Sequence, residues 1–235
     1  MQKVNYMCLT AHFLDNDWNL NKKILNFLPI SSHRGDAIGK AIEKCLRDWR
    51  IDKIFTVTVD NASSNDVAVA YLKKKCNQVG TSIVQGKYLH MRCIAHIINL
   101  IVNEGLKEHN DSIARIRGVV KYVRQSPSRL QKFKECVEIE KIQSKSLLCL
   151  DVNTRWNSTY LMLDAAQKFE MAFERFDEMD PYFKSELVLG DGLPDNDDWE
   201  NVRRLVIFLQ NFYELTLKVS GSLHVTTNKF FLGIL

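Results

Sequence analysis

A carboxylate at the end of a short apolar segment is the first feature of this sequence that could do chemistry. Asp60 follows residues 54–59, a run of β-branched and aromatic side chains that predicts a buried strand. Open sheets place their sites at the carboxyl ends of strands, and a carboxylate oxygen there could bind Mg²⁺. Two-metal catalysis needs several acidic ligands, so Asp60 alone predicts no active centre. The alternative is an Asx turn, in which Asp60 and Asn61 cap the helix that follows.

Three potential metal ligands lie further along the chain at equal spacing. Two residues separate His90 from Cys93, and two more separate Cys93 from His96. Structural zinc usually takes four ligands, and the sequence offers neither a fourth ligand close by nor a second cluster. We therefore expect no zinc at these residues. In the alternative interpretation, Cys93 packs at an apolar helix and His96 caps that helix or hydrogen-bonds within it.

A cation beside a large aromatic ring is the third feature. Arg155 can hold a phosphate through two parallel hydrogen bonds. Trp156 offers a face on which an unpaired base can stack, a contact worth about 1–3 kcal/mol. The alternative is that Trp156 anchors a core, while Asn157 or Ser158 caps the following helix.

The hydrophobic patterns around these residues predict two regions of different architecture. Strands are predicted at residues 6–14, 18–27, 54–59 and 88–91, the first two forming a hairpin around a turn at 15–17. Helices are predicted at residues 36–49, 63–76, 94–106, 113–123, 128–140, 158–176 and 198–219. The sequence therefore predicts an α+β fold, with a mixed sheet and its helices in residues 1–92 and an all-helical region in residues 93–235.

Composition and charge limit the classes of function. The 235 residues are 46% hydrophobic and 26% charged, a balance that supports a folded core and excludes disorder as the main state. Residues 1–150 carry 24 Lys and Arg against 14 Asp and Glu, whereas residues 151–235 carry 8 against 14. The basic first part fits an anionic partner such as nucleic acid, and a solvated basic surface fits it equally well.

Membrane and secretory classes are disfavoured. No run of about 18 apolar residues is present, so we expect no membrane-spanning helix. The first residues lack a basic segment followed by an apolar run, so we expect no secretory signal, and the six cysteines include no C-x-x-C pair. Reduced thiols are therefore expected.

Four motifs occur in an order that is typical of one protein family. They are Tyr-Met-Cys-Leu-Thr-Ala-His-Phe at 6–13, Val-Asp-Asn-Ala-Ser-Ser-Asn-Asp at 59–66, Arg-Cys-Ile-Ala-His-Ile-Ile-Asn-Leu at 92–100 and Asn-Thr-Arg-Trp-Asn-Ser-Thr-Tyr at 153–160. In these four motifs and their order, the sequence closely resembles the hAT superfamily of cut-and-paste DNA transposases. It looks most like the plant Ac-like members and their domesticated sleeper relatives. The resemblance extends over essentially the whole sequence.

The resemblance implies a ribonuclease-H-like core interrupted by a long helical insertion. Family members cleave DNA with an Asp-Asp-Glu triad and Mg²⁺, and Asp60 matches the second Asp. Cys93 and His96 match a C-x-x-H motif that lies near the family's active site. Arg155 and Trp156 match an Arg-Trp pair whose Trp stacks on a flipped base.

Parts of the family pattern have no counterpart in this sequence: the first Asp with its strand, the Glu, the BED-type zinc finger and the dimerisation segment. We therefore expect a fragment that lacks transposase activity and needs no cofactor, with Asp60 a vestigial Mg²⁺ ligand. Residual DNA binding through Cys93, His96, Arg155 and Trp156, in the nucleus and away from membranes, is the expected function. The alternatives are a non-enzymatic domesticated regulator that partners a full-length hAT protein, or a non-functional gene remnant.

Overall fold

A computed structural model describes residues 4–30, 32–81 and 83–220 of the chain, which divides into two units. The first unit comprises residues 1–97 and 218–235, and the second comprises residues 98–217. Residues 221–235, which the sequence assigns to the helical region, lie outside the described part. Within that part, no helix combines the length and the apolar character needed to cross a membrane.

A β-hairpin begins the first unit. Strand β1 (Asn5–Leu14) pairs antiparallel with β2 (Leu20–Ile30), and a bulge at Leu9 and Thr10 shifts the register. The predicted turn is present, because Oδ1 of Asp15 accepts hydrogen bonds from the backbone nitrogens of Asp17 at 3.0 Å and Asn19 at 2.8 Å. This Asx turn joins the two strands at the position that the Asp-Asn-Asp sequence predicts.

Helices and a second strand pair complete the first unit. The elements are α1 (Gly35–Asp48), β3 (Val57–Val59), α2 (Ser63–Val79), a 3₁₀ turn (Ile83–Gly86), β4 (His90–Arg92) and α3 (Ile94–Lys107), the last of which continues into the second unit. A Cβ atom at Gly35 would lie 2.2 Å from the backbone oxygen of Ser64, so α1 approaches α2 as closely as only glycine allows.

The predicted mixed sheet is present as two separate two-stranded sheets. The hairpin is antiparallel, whereas β3 and β4 are parallel, with Val57 opposite His90. Both sheets cover one helical layer, since side chains of β1 and of β3 pack against the same core cluster. That cluster consists of Ile42, Val69, Leu72 and Leu89. Within the described residues, β1 has only β2 as a paired neighbour, and β3 has only β4.

The second unit is helical. After α3 it contains α4 (Asn110–Arg124), α5 (Pro127–Ile139), α6 (Trp156–Gln167), α7 (Glu170–Met179), α8 (Phe183–Val188) and α9 (Asn196–Val219). The helix predicted at 158–176 is wrong in one respect, because it is broken at Lys168 and Phe169. Phe169 leaves helical geometry while its buried ring packs edge-to-face against Phe133, so an aromatic core contact accompanies the break.

Candidate nucleic-acid interface

Asp60 ends the β3 segment as a turn residue. Its Oδ1 accepts hydrogen bonds from the backbone nitrogen of Ala62 at 2.9 Å and from Nδ2 of Asn65 at 2.6 Å. The bond to Ala62 is the geometry of an Asx turn, and α2 begins at Ser63, directly after it. The structure therefore contains the predicted turn, on an exposed carboxylate that keeps its second oxygen outside these two bonds. The predicted capping is wrong, because Ala62 is the N-cap residue of α2 and no side chain caps the helix there.

Cys93 joins the end of β4 to the end of β3. Its backbone nitrogen donates to the carbonyl of Val59 at 3.0 Å, which places Cys93 next to the start of the Asp60 turn. The Cys93 carbonyl accepts from the backbone nitrogens of His96 and Ile97, each at 3.1 Å, so Cys93 caps the start of α3. The structure thus brings Asp60, Cys93 and His96 to one edge of the parallel strand pair, within the first unit.

The potential metal ligands that the structure describes near this edge do not form a group. In the part of the chain that the structure describes, no group of three or more His, Cys, Asp and Glu side chains is arranged to hold an ion. Nδ1 of His90 instead lies 3.7 Å from Oδ1 of Asp66, and its Nε2 is buried without a hydrogen-bond partner. A single carboxylate at Asp60 does not fit the two-ion centre that the resemblance implies.

Arg155 and Trp156 form a separate site in the second unit. Arg155 is exposed and directly precedes α6, whereas Trp156 is the first residue of that helix and only 4% exposed. In this conformation the indole ring offers no open face for stacking, which favours the interpretation of Trp156 as a core anchor. The side-chain oxygen of Ser158 donates to the Arg155 carbonyl at 2.7 Å and accepts from the backbone nitrogen of Val152 at 2.8 Å, so Ser158 holds the preceding turn.

A buried ion pair that the sequence interpretation missed fixes the same segment. The guanidinium of Arg117 donates to both carboxylate oxygens of Asp151, at 2.9 and 2.7 Å, and the hydroxyl of Thr159 donates to Asp151 at 3.0 Å. The Asp151 side chain is 3% exposed. Since 34 residues separate Arg117 from Asp151, no local pattern could have indicated the pair. The pair and the Thr159 hydroxyl thus connect the segment that precedes Arg155 to α4 and α6.

Comparisons with known proteins give the family. Residues 91–208 match the model of the ZBED1 RNase-like helical domain, and residues 1–88 match that of the ZBED1 RNase-like domain. The zinc finger BED domain-containing protein RICESLEEPER 2 of Oryza sativa subsp. japonica is 34% identical over 98% of this chain and 31% of its own length. The Zea mays protein described as an AC transposase is 32% identical over 99% of this chain and 28% of its own.

A third relative, the zinc finger BED domain-containing protein DAYSLEEPER of Arabidopsis thaliana, is 32% identical over 93% of this chain and 31% of its own length. The chain thus spans about a third of the length of the curated relatives that it matches. Because one domain model alone covers half of the chain, the four ordered motifs are not coincidental, and the chain belongs to the hAT-type transposase family.

Proposed function

We propose that this chain is a fragment of a hAT-like transposase that binds DNA without cutting it. The observation that carries the proposal is the exposed Arg155, held in a fixed turn by Ser158 and by the Arg117–Asp151 pair. Within the described residues Arg155 forms no salt bridge, so its guanidinium is available to a phosphate. The proposed location is the nucleus, where DNA is the partner.

A basic helix in the first unit adds to the proposed interface. Lys73 and Lys74 are exposed on α2 and line a shallow depression together with Asn77 and Gln78. Lysine ammonium groups on such a surface attract the phosphate backbone and carry no sequence information. DNA binding by this chain is therefore expected to be salt-sensitive.

We propose different roles in DNA binding for Cys93, His96 and Trp156. Cys93 and His96 lie at the start of α3 beside Asp60, and we propose that this edge faces the nucleic acid. In the second unit, Trp156 acts as a positioning residue that anchors the first turn of α6 and so orients Arg155. Stacking of its ring on an unpaired base would require the ring to leave the core.

The proposal assigns no catalytic step to Asp60. One carboxylate whose Oδ1 already accepts two hydrogen bonds does not hold two Mg²⁺ ions. We expect neither nicking nor joining of DNA when Mg²⁺ or Mn²⁺ is added to the purified chain. Metal-dependent cleavage that is lost in Asp60→Ala would refute this part of the proposal.

The test of DNA binding is a salt titration of fluorescence anisotropy with labelled duplex and single-stranded DNA. Arg155→Ala should lower the slope of log affinity against log salt by about 0.7 to 0.9, the share of one phosphate contact. Arg204→Ala is the matched control, because Arg204 is an exposed arginine of the same unit that pairs with Glu200. Equal slopes for the two variants would contradict the proposal. A Trp156→Phe variant that weakens single-strand binding alone, without loss of stability, would restore the stacking role.

The open sheet edges favour a second candidate function, that of a non-enzymatic partner of a full-length family member. Since β1 and β3 cover the same helical layer, and each pairs on one side only among the described residues, we propose that they are parts of one ribonuclease-H-like sheet with a strand position between them. A partner that supplied this strand should slow amide hydrogen exchange in β1 and β3. Exchange rates that stay unchanged in a mixture with a full-length relative would refute it.

A further inference from the structure

A polar cavity in the second unit is not explained by the phosphate contacts proposed above. It has a volume of about 450 Å³, within the range of about 300–1,000 Å³ that is typical of small-molecule sites. Three asparagines line it, namely Asn103 of α3, Asn110 of α4 and Asn153 of the segment before α6. Leu106 and Ile113 add apolar surface. We call this cavity the amide pocket.

The amides of the pocket are uncommitted. Among the described residues, none forms a side-chain hydrogen bond with Asn103, Asn110 or Asn153. Each amide offers two donors and one acceptor oxygen. Three such groups around one cavity are suited to a ligand whose edge places donors beside acceptors.

The charges around the pocket are already compensated. Arg117 lines it, but Nε and Nη2 of that residue are bonded to the buried Asp151 carboxylate. Lys107 also lines it and pairs with Glu104 at 2.6 Å. A site of this kind does not favour a bare anion. It favours a neutral heteroaromatic group whose own charge stays outside the cavity.

We propose that the amide pocket binds the adenine base of an unpaired nucleotide. An asparagine amide matches the N6 donor and the N7 acceptor of adenine through two hydrogen bonds, and Leu106 and Ile113 give the ring an apolar contact. The phosphate then lies outside, where Arg155 follows Asn153 by two residues. The inference deepens the proposed DNA binding and rests on it for the source of the nucleotide.

The test follows the side-chain amide signals of the intact chain by ¹H–¹⁵N NMR. Deoxyadenosine monophosphate is added to about 10 mM, because a lone nucleotide at such a site should bind near a Kd of about 1 mM. The signals of Asn103, Asn110 and Asn153 should shift, whereas that of Asn211, an exposed asparagine of α9, should not. Deoxyribose 5-phosphate is the control without a base and should shift none of them. Equal shifts with this control, or no shifts with the nucleotide, would refute the binding of adenine in the amide pocket.

Variants test the same pocket with DNA. Asn103→Ala combined with Asn110→Ala should weaken binding to a single-stranded oligo(dA) by about fivefold to 100-fold, and leave an abasic strand of the same length nearly unaffected. Asn211→Ala is the matched control and should change neither. Should the double variant fold poorly, Asn153→Ala, in the exposed loop, replaces it. An equal loss of affinity for the oligo(dA) and for the abasic strand would refute the binding of adenine in the amide pocket.

The two proposals fail in different ways. If the chain binds oligonucleotides but its asparagine amide signals do not shift with the nucleotide, adenine binding in the amide pocket is refuted and the proposed DNA binding is not. A chain that binds the nucleotide but no oligonucleotide refutes the proposed DNA binding, and the amide pocket remains a nucleotide site.

Discussion

Removal of the Asp198 carboxylate should be among the most costly single changes in the helical unit. Its oxygens accept hydrogen bonds from the hydroxyl of Ser112 at 2.7 Å, from Arg115 at 2.8 Å and from the backbone nitrogen of Asp195 at 3.0 Å. The side chain is 4% exposed. Loss of one partner of a buried pair costs about 3–5 kcal/mol. Since a third of Arg115 is exposed to water and can be rehydrated, we expect Asp198→Ala to lie at the lower end, about 3 kcal/mol.

The same carboxylate should make stability depend on pH. Burial acts to raise the pKa of Asp198, but the Asp195 backbone nitrogen, Arg115 and Ser112 outweigh it, and the pKa in the folded chain is lowered. A lowered folded pKa contributes stability that is complete above the unfolded pKa of about 3.9 and is lost as pH falls through the folded value. The difference between the parent and Asp198→Ala should therefore be largest near neutral pH and shrink in acid.

Urea unfolding at a series of pH values, followed by tryptophan fluorescence, to which the buried neighbour Trp199 contributes, measures this difference. Asp197→Ala is the matched control, because Asp197 is the preceding residue of α9 and is exposed. Its cost should stay within about 0.5 kcal/mol at every pH. Equal costs for the two variants, or a cost at Asp198 that does not change in acid, would refute the reasoning.

Three further outcomes follow from burial and close packing. Gly35→Ala should lower the melting temperature clearly more than Gly118→Ala, since a Cβ atom would meet backbone of α2 at 2.2 Å in the first case and only a side chain at 3.5 Å in the second. The thiol of the exposed Cys8 should react with an alkylating reagent much faster than that of Cys136, whose pKa burial raises; equal rates by mass spectrometry would contradict this. Trp156→Ala should cost about 3–5 kcal/mol in urea unfolding, and a loss near zero would contradict the core anchor.

Features that depend on neighbouring residues could be predicted from the sequence. The Asp15 turn follows from one carboxylate that accepts from backbone nitrogens two and four residues further on, and the amphipathic helices follow from the spacing of their apolar residues. Features that depend on distant residues could not. The break at Phe169 coincides with a ring packed against Phe133, and the ion pair in the segment before Arg155 needs Arg117 to meet Asp151 across 34 residues. The predicted mixed sheet is divided because, among the described residues, β1 pairs only with β2 and β3 pairs only with β4. Composition does not indicate which strands pair.

Two interpretations apply to Asp60: the sequence around it predicts an Asx turn, and the family resemblance implies a metal ligand. The Asx turn uses Oδ1, through Ala62 and Asn65, and so fixes the orientation of the carboxylate at the carboxyl end of β3. The other carboxylate oxygen takes part in neither of these bonds, and a metal ligand is what the resemblance asks of the residue. The Asx turn and metal ligation are therefore compatible at this position. What decides between a structural turn and a catalytic centre is the number of further acidic groups brought to the same edge, and Cys93 and His96, which lie there, are not acidic ligands.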